Sequence, residues 1–248
     1  MTQLKAVVFD WGGTLTPWHT IDLADLWSAA SRVLAPDGAE QLTEALVQVE
    51  REFWERSAAT SGDHSIRLAD ILHLAAARTG VDVEDGLRHS ALSAYLEAWT
   101  PHTFAHHDAG DVLRHMRAKG LRIGLLSNTH WPPEWHERIL QRDGLLELID
   151  ARVYTSELAH TKPHREAFQA IITRLAVEPQ HAVMVGDRPI DDIAGARAIG
   201  MRTVLLPNDA VPAGPVAPDA TITNLPALLP VIEQWMVAST VYVHPHAP

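Results

Sequence analysis

The chain reads as an α/β protein: a doubly wound parallel-sheet core with a helical cap subdomain inserted after the first strand. Three observations predict this. The runs Ala6-Val7-Val8-Phe9, Arg122-Ile123-Gly124-Leu125-Leu126 and Ala182-Val183-Met184-Val185 have the near-continuous hydrophobicity of strands buried on both faces. Each run stops at small or polar residues, as a strand does where it leaves a sheet. A long stretch between the first and second runs instead carries apolar residues at helical spacing. Strands alternating with helices imply parallel pairing, with helices on both faces of the sheet.

The first strand delivers Asp10 to Gly12, Gly13 and Thr14. In open α/β sheets the ligand crevice lies outside the carboxyl ends of the strands. Glycines there let backbone N–H groups close around an anion, and Thr14 adds a hydroxyl. The insertion follows. Leu23, Leu26, Trp27, Ala30, Val33 and Leu34 mark one helix, and Leu42, Leu46, Val49 and Phe53 a second. Ile71, Leu72 and Ala75 mark a third, and Leu92, Tyr95, Leu96 and Trp99 a fourth. Pro36-Asp37-Gly38 and Ser61-Gly62-Asp63 are turns between helices, and the aromatic residues of these stripes are packing residues. Adjacent side chains of an extended segment point to opposite sides, so His106-His107 reads as a hinge back to the core rather than a pair of metal ligands.

The second strand ends in the hydroxyl and amide donors Ser127-Asn128-Thr129. Thr161-Lys162-Pro163-His164 then precedes a helix marked by Phe168, Ile171, Ile172 and Leu175. Lys162 stands out because the chain has only Lys5, Lys119 and Lys162 among its 20 basic residues, the rest being arginine. The next strand leads into Gly186-Asp187-Arg188-Pro189-Ile190-Asp191-Asp192, and Ile193-Ala194-Gly195-Ala196 opens a helix. Arg202-Thr203-Val204-Leu205-Leu206 is a further strand, 207–218 a loop rich in Pro and Ala, and Leu225 to Trp235 a closing helix. The tail with His244-Pro245-His246 is expected to be exposed.

Composition narrows the function. With 31 acidic against 20 basic residues the net charge is −11, which disfavours nucleic-acid binding while leaving room for a local pocket for small anions. The chain has no cysteine, so disulfides, thiolate metal sites and cysteine nucleophiles are excluded together. The N-terminus enters the first strand without a leader pattern, and no apolar run approaches the roughly 18 residues of a membrane span. A soluble, cytoplasmic protein without membrane partners is expected.

Taken in order, the four segments around Asp10, Ser127, Lys162 and Asp187 resemble the haloacid dehalogenase superfamily, mostly phosphate-transferring hydrolases with an aspartate nucleophile. The resemblance runs from residue 5 to about residue 206. It implies a Rossmann-like core from residues 1–16 and 108–248 and an inserted cap from 17–107. It implies that Asp10 is the nucleophile and that Ser127 and Lys162 bind the phosphoryl oxygens, with Gly12, Gly13, Thr14 and Asn128 around the substrate. Mg2+ would be held by Asp10, the Gly12 carbonyl and Asp187, with Asp191 and Asp192 as acidic neighbours. The physical demands agree: phosphoryl transfer spreads charge over three oxygens, so donors and cations must approach from several directions.

One departure stands out. Most phosphatases of this superfamily carry a second aspartate two positions after the nucleophile, as acid and base; here that position is Gly12. Such a group contributes about 100- to 10,000-fold, chiefly for poor leaving groups. Haloacid dehalogenases of the superfamily lack this aspartate, but they lack the Gly-Asp pair that stands here as Gly186-Asp187. Phosphonoacetaldehyde hydrolases lack it too, but need a cap lysine, and residues 17–107 contain none. Asp22, Asp25, His19 and His130 are possible stand-ins for the acid, and cap arginines such as Arg32, Arg51, Arg56, Arg67, Arg78 and Arg88 are possible anion grips. The expected function is a magnesium-dependent phosphatase acting on a small phosphorylated or otherwise anionic metabolite. The competing reading is a protein that binds such metabolites with little turnover.

Overall fold

The computed structural model describes residues 3–240. The histidines His244 and His246 lie outside the described residues. Six parallel strands form one sheet: β1 (Ala6–Phe9), β2 (Arg122–Ser127), β3 (Ala151–Tyr154), β4 (Ala182–Gly186), β5 (Arg202–Leu205) and β6 (Ala220–Thr221), in the spatial order β3-β2-β1-β4-β5-β6. The order reverses direction at β1, and the crevice at such a switch point is where α/β sheets bind ligands. Phe9 sits opposite Leu125 on one side and Val185 on the other, so the chain leaves β1, β2 and β4 at nearly the same level.

Alternation along the strands divides the core. Val7, Phe9, Ile123, Leu125, Val183 and Val185 face one layer, while Ala6, Val8, Leu126 and Met184 face the other. The first layer holds α5 (Ala109–Ala118), α6 (Pro133–Arg142) and α9 (Leu228–Thr240); the second holds α7 (Arg165–Leu175) and the short α8 (Gly195–Ala198).

Between β1 and β2 lie α1 (Leu23–Leu34), α2 (Ala39–Ala59), α3 (Leu68–Thr79) and α4 (Asp85–Trp99). Asp22 caps α1 by accepting from the Ala24 N–H at 2.9 Å. α1 packs on both α2 and α4, and Trp27 stacks on Tyr95 with ring centroids 3.9 Å apart. Hydrogen bonds tie this layer to the core. Leu68 N donates to the His130 carbonyl at 2.7 Å. Thr161 N donates to the Gly62 carbonyl at 2.9 Å, and the Ser57 and Thr161 hydroxyls meet at 2.7 Å. Gly62 has φ +79° and a Cβ there would stand 2.3 Å from the Thr161 carbonyl oxygen, so only glycine fits beside the Lys162 loop.

The structure departs from the sequence reading in detail. The edge strands β3 and β6 and the core helices α5 and α6 are additional. The segment expected to open as a helix at Ile193 begins earlier, as a π-helical turn over Pro189–Ala194 that runs into α8. That widened turn aims Asp192 back under β4, where its Oδ2 accepts from Arg188 N at 3.0 Å. Among the described residues no helix is long and apolar enough to cross a membrane.

Candidate active site

Four chain segments that are distant in sequence meet at the carboxyl ends of β1, β2 and β4. The Lys162 ammonium donates to Asp10 Oδ1 at 2.6 Å and to Asp192 Oδ1 at 2.7 Å, and all three residues are buried. Asp187 joins them: one carboxylate oxygen from each of Asp10, Asp187 and Asp192 lies within 4.8 Å of the others. Asn208 donates to Asp187 Oδ2 at 3.3 Å, whereas Asp187 Oδ1 is buried without a partner. Two glycines make this packing possible. A Cβ on Gly13, which has φ +83°, would stand 2.5 Å from Asp187 Oδ2, and one on Gly186 would stand 2.2 Å from Asp192 Oδ2.

Asn128 has a specific task in this arrangement. Its Oδ1 accepts from Lys162 N at 2.8 Å and its Nδ2 donates to the Lys162 carbonyl at 3.0 Å, so both ends of its amide hold the lysine loop. Ser127 is buried beside it, and the Thr14 hydroxyl is buried without a partner. Asp191 stands next to the cluster, and of this adjacent pair it is Asp192 that bonds to Lys162.

A cavity of about 310 Å³ opens over these residues. Gly12, Gly13, Ser127 and Asn128 form its floor, and Leu23, Glu50, Trp54 and Trp99 reach it from the helical layer. Trp18 and Arg188 also line it, with the guanidinium 5.3 Å from the indole centroid. None of the six cap arginines lines this cavity; Arg67, Arg78 and Arg88 pair instead with Glu157, Glu52 and Asp85. A separate cavity of about 500 Å³ shares His130 and Trp131 as a wall; Asp10, Asp187 and Asp192 line neither cavity, and the first reaches their neighbours Gly12, Gly13, Ser127 and Arg188.

The model of the haloacid dehalogenase-like hydrolase family matches residues 4–200. The chain belongs to the haloacid dehalogenase-like hydrolases. It is similar to glyceraldehyde 3-phosphate phosphatase of Methanopyrus kandleri, 29% identical over 82% of this chain and 83% of that protein. It is also similar to phosphoglycolate phosphatase of Rhodospirillum rubrum, 31% identical over 82% and 79% of the two chains. Among solved structures it resembles a 2-haloacid dehalogenase from Pseudomonas syringae, with a TM-score of 0.70, 25% identity and coverage of 94% and 100%. A phosphatase of the same superfamily from Thermococcus onnurineus gives a TM-score of 0.62 at 25% identity, covering 92% and 98%.

The electrostatics of this hydrolase's site follow from its burial. Loss of solvent raises the Asp10 pKa; Lys162 opposes the rise and Asp192 adds to it. Burial alone would deprotonate Lys162, but the two carboxylates it bridges outweigh burial and hold it above its usual value. Asp187 is pushed up to about 7, first by burial and then by Asp10 and Asp192. Asp191 is pushed up to about 6 by burial and by Asp192. Buried carboxylates thus outnumber the cations that face them, and one of their oxygens is unpartnered. A hard divalent cation with oxygen ligands fits that deficit.

A second group of metal-ligand type, Asp63, His160 and His164, lies outside this site. Its two imidazoles are stacked, 3.8 Å apart and 22° from parallel, so their in-plane lone pairs do not converge on one point. Sequence reading passed over Glu50 and Asn208. Glu50 carried a signal, for it is an acid within the apolar stripe of α2 that holds Leu42, Leu46, Val49 and Phe53.

Proposed function

We propose that this hydrolase is a magnesium-dependent phosphatase that acts on a small phosphorylated metabolite through an aspartyl-phosphate at Asp10. The observation that carries the reading is the partnerless, buried Asp187 Oδ1 beside the carboxylates of Asp10 and Asp192. Displacement of halide from carbon needs no such concentration of negative charge, whereas attack of a carboxylate on a phosphate dianion needs a cation to offset the repulsion. The phosphatase names of the two relatives point the same way.

In this reading Asp10, the Gly12 carbonyl and Asp187 hold Mg2+, which when bound neutralises charge on the phosphoryl oxygens. The Asp10 carboxylate attacks phosphorus in line. Lys162 opposes protonation of that carboxylate and orients it through the 2.6 Å contact, and meets the substrate's charge as a compact ammonium. Ser127, Thr14 and the backbone of Gly12 and Gly13 offer donors to the equatorial oxygens. Asn128 serves as a clamp on the Lys162 loop.

The test is turnover of p-nitrophenyl phosphate and a panel of small phosphate esters, with magnesium and with chelator. Magnesium-dependent release of phosphate is expected. Tight phosphate or vanadate binding without turnover would favour a binding protein, and halide release from 2-chloropropionate a dehalogenase. A pH dependence also follows. Because the folded pKa of Asp187, about 7, exceeds its ordinary value of 3.8, the protonated form stabilises the metal-free fold at acid pH. That contribution is lost as pH rises to about 7. Below pH 7 protons compete with the metal, so magnesium affinity, read by calorimetry, falls roughly tenfold per pH unit. Affinity independent of pH from 5 to 8 would remove Asp187 from the metal site.

A further inference from the structure

With Gly12 in place of an acid, the leaving oxygen's proton has no assigned source. Four histidines line the cavity: His19, His102, His130 and His136. The rings of His19 and His102 meet edge-on at 5.6 Å, and neither forms an ion pair among the described residues. Burial drives His136 down to about 3, and its Nε2 lies 3.0 Å from the Thr129 hydroxyl, so it is a neutral packing residue.

His130 is different. Its Nε2 lies 3.0 Å from the Tyr95 hydroxyl and 3.9 Å from Glu50 Oε1, and its Nδ1 is buried without a partner. Burial lowers its pKa below the ordinary value and Glu50 opposes that shift without cancelling it, so the ring is protonated when the negative charge of a bound phosphate ester is added to that of Glu50. The Glu50 carboxylate is itself buried and fixed, because its Oε2 accepts from Trp27 Nε1 at 2.6 Å. A buried carboxylate without a full counter-charge is costly unless a partner takes up a proton beside it. Gly12 leaves space on the same cavity floor, where an added Cβ meets nothing within 4 Å.

We propose that Glu50 and His130 form a proton-transfer dyad that does the work of the acid missing at Gly12. This rests on the phosphatase reading. As the Asp10 oxygen bonds to phosphorus, the bond from phosphorus to the leaving oxygen breaks, its electron pair stays on that oxygen, and the His130 imidazolium supplies the proton. Alcohol leaves and His130 is neutral. His130 then takes a proton from the water whose oxygen bonds to phosphorus. The bond from phosphorus to Asp10 breaks, its electron pair returns to the carboxylate, and inorganic phosphate leaves. Glu50 offsets the imidazolium charge in both halves. Glu50 sits on α2 and Tyr95 on α4, whereas His130 follows β2, so the dyad is complete only while the helical layer is seated on the core.

The test is the leaving-group dependence of the magnesium-loaded enzyme, comparing p-nitrophenyl phosphate, whose alcohol leaves unprotonated, with glycerol 2-phosphate, whose alcohol needs a proton. His130→Gln should lower kcat/KM on the alkyl ester by about 100- to 10,000-fold and on the aryl ester by less than about tenfold. Glu50→Gln should show the same selectivity in smaller degree, and adds little to His130→Gln. Gly12→Asp in the His130→Gln background should restore alkyl-ester turnover. Equal losses on both esters, or no recovery with Gly12→Asp in a folded protein, would overturn the dyad alone. No wild-type turnover of p-nitrophenyl phosphate with magnesium would overturn the phosphatase reading and the dyad together. If His130→Gln does not fold, the isosteric Glu50→Gln carries the same comparison.

Discussion

Asp10→Asn abolishes turnover, lowering kcat on the order of 10,000-fold or more for every phosphate ester the wild type cleaves. An amide is no nucleophile toward phosphorus, and no neighbouring group takes over. Asp187 and Asp192 lie within reach of the same point, but Asp192 is bound to Lys162 and the Arg188 N–H, and Asp187 faces Asn208. The fold is expected to survive. Burial already penalises the Asp10 charge, and Lys162 keeps its second contact to Asp192, so the melting temperature of the metal-free variant should equal or exceed that of the wild type. Loss of turnover together with loss of folding would leave the nucleophile unassigned. Full turnover in a folded variant would refute the assignment.

Lys162→Met has the second large effect, and its sign depends on the metal. The ammonium bridges two carboxylates in a region closed to water, and deleting one partner of such a network costs roughly 3–5 kcal/mol. In the metal-free variant the carboxylates of Asp10, Asp187 and Asp192 repel one another without that cation, so the loss should be larger at pH 8 than at pH 5, where protons relieve it. Saturating magnesium should return part of the stability, measured as a rise in denaturation midpoint greater than the wild type shows. Turnover should stay depressed by about 1,000-fold, because the metal cannot also hold the Asp10 carboxylate in position. A variant whose stability is indifferent to pH and to magnesium would mean that the four groups do not share one electrostatic site.

Much of this arrangement was legible in the chain. The strands β1, β2 and β4 are covered on both faces, so their residues are apolar without alternation, and Asp10, Ser127 and Asp187 follow where that pattern breaks. The parallel order then brings those strand ends together. The helices α1 to α4 were legible for the same reason, each having an apolar face to bury.

Other features had weaker signals. β3 holds Arg152 within its four residues, and β6 has only two residues, so neither presents an apolar run. α5 and α6 are each ten residues long and amphipathic, with Val112, Leu113 and Met116 in one and Trp135, Ile139 and Leu140 in the other. Their spacing carried the helical signal, but short segments display it over too few turns to stand out. The bond pattern of Asn128 was not legible, because a strand-end amide fits a ligand as well as a loop, and only the folded chain brings the Lys162 backbone to both of its atoms.

The central claim is that Asp10 itself becomes phosphorylated in a site assembled by Lys162, Asp187 and Asp192. Rapid acid quench of the wild-type protein during turnover of p-nitrophenyl phosphate with magnesium, followed by peptide mass mapping, tests it directly. The account predicts a phosphoryl adduct on the peptide that contains Asp10, removed by hydroxylamine and absent from Asp10→Asn. Steady turnover with no adduct on that peptide, or an adduct on another residue, would contradict it.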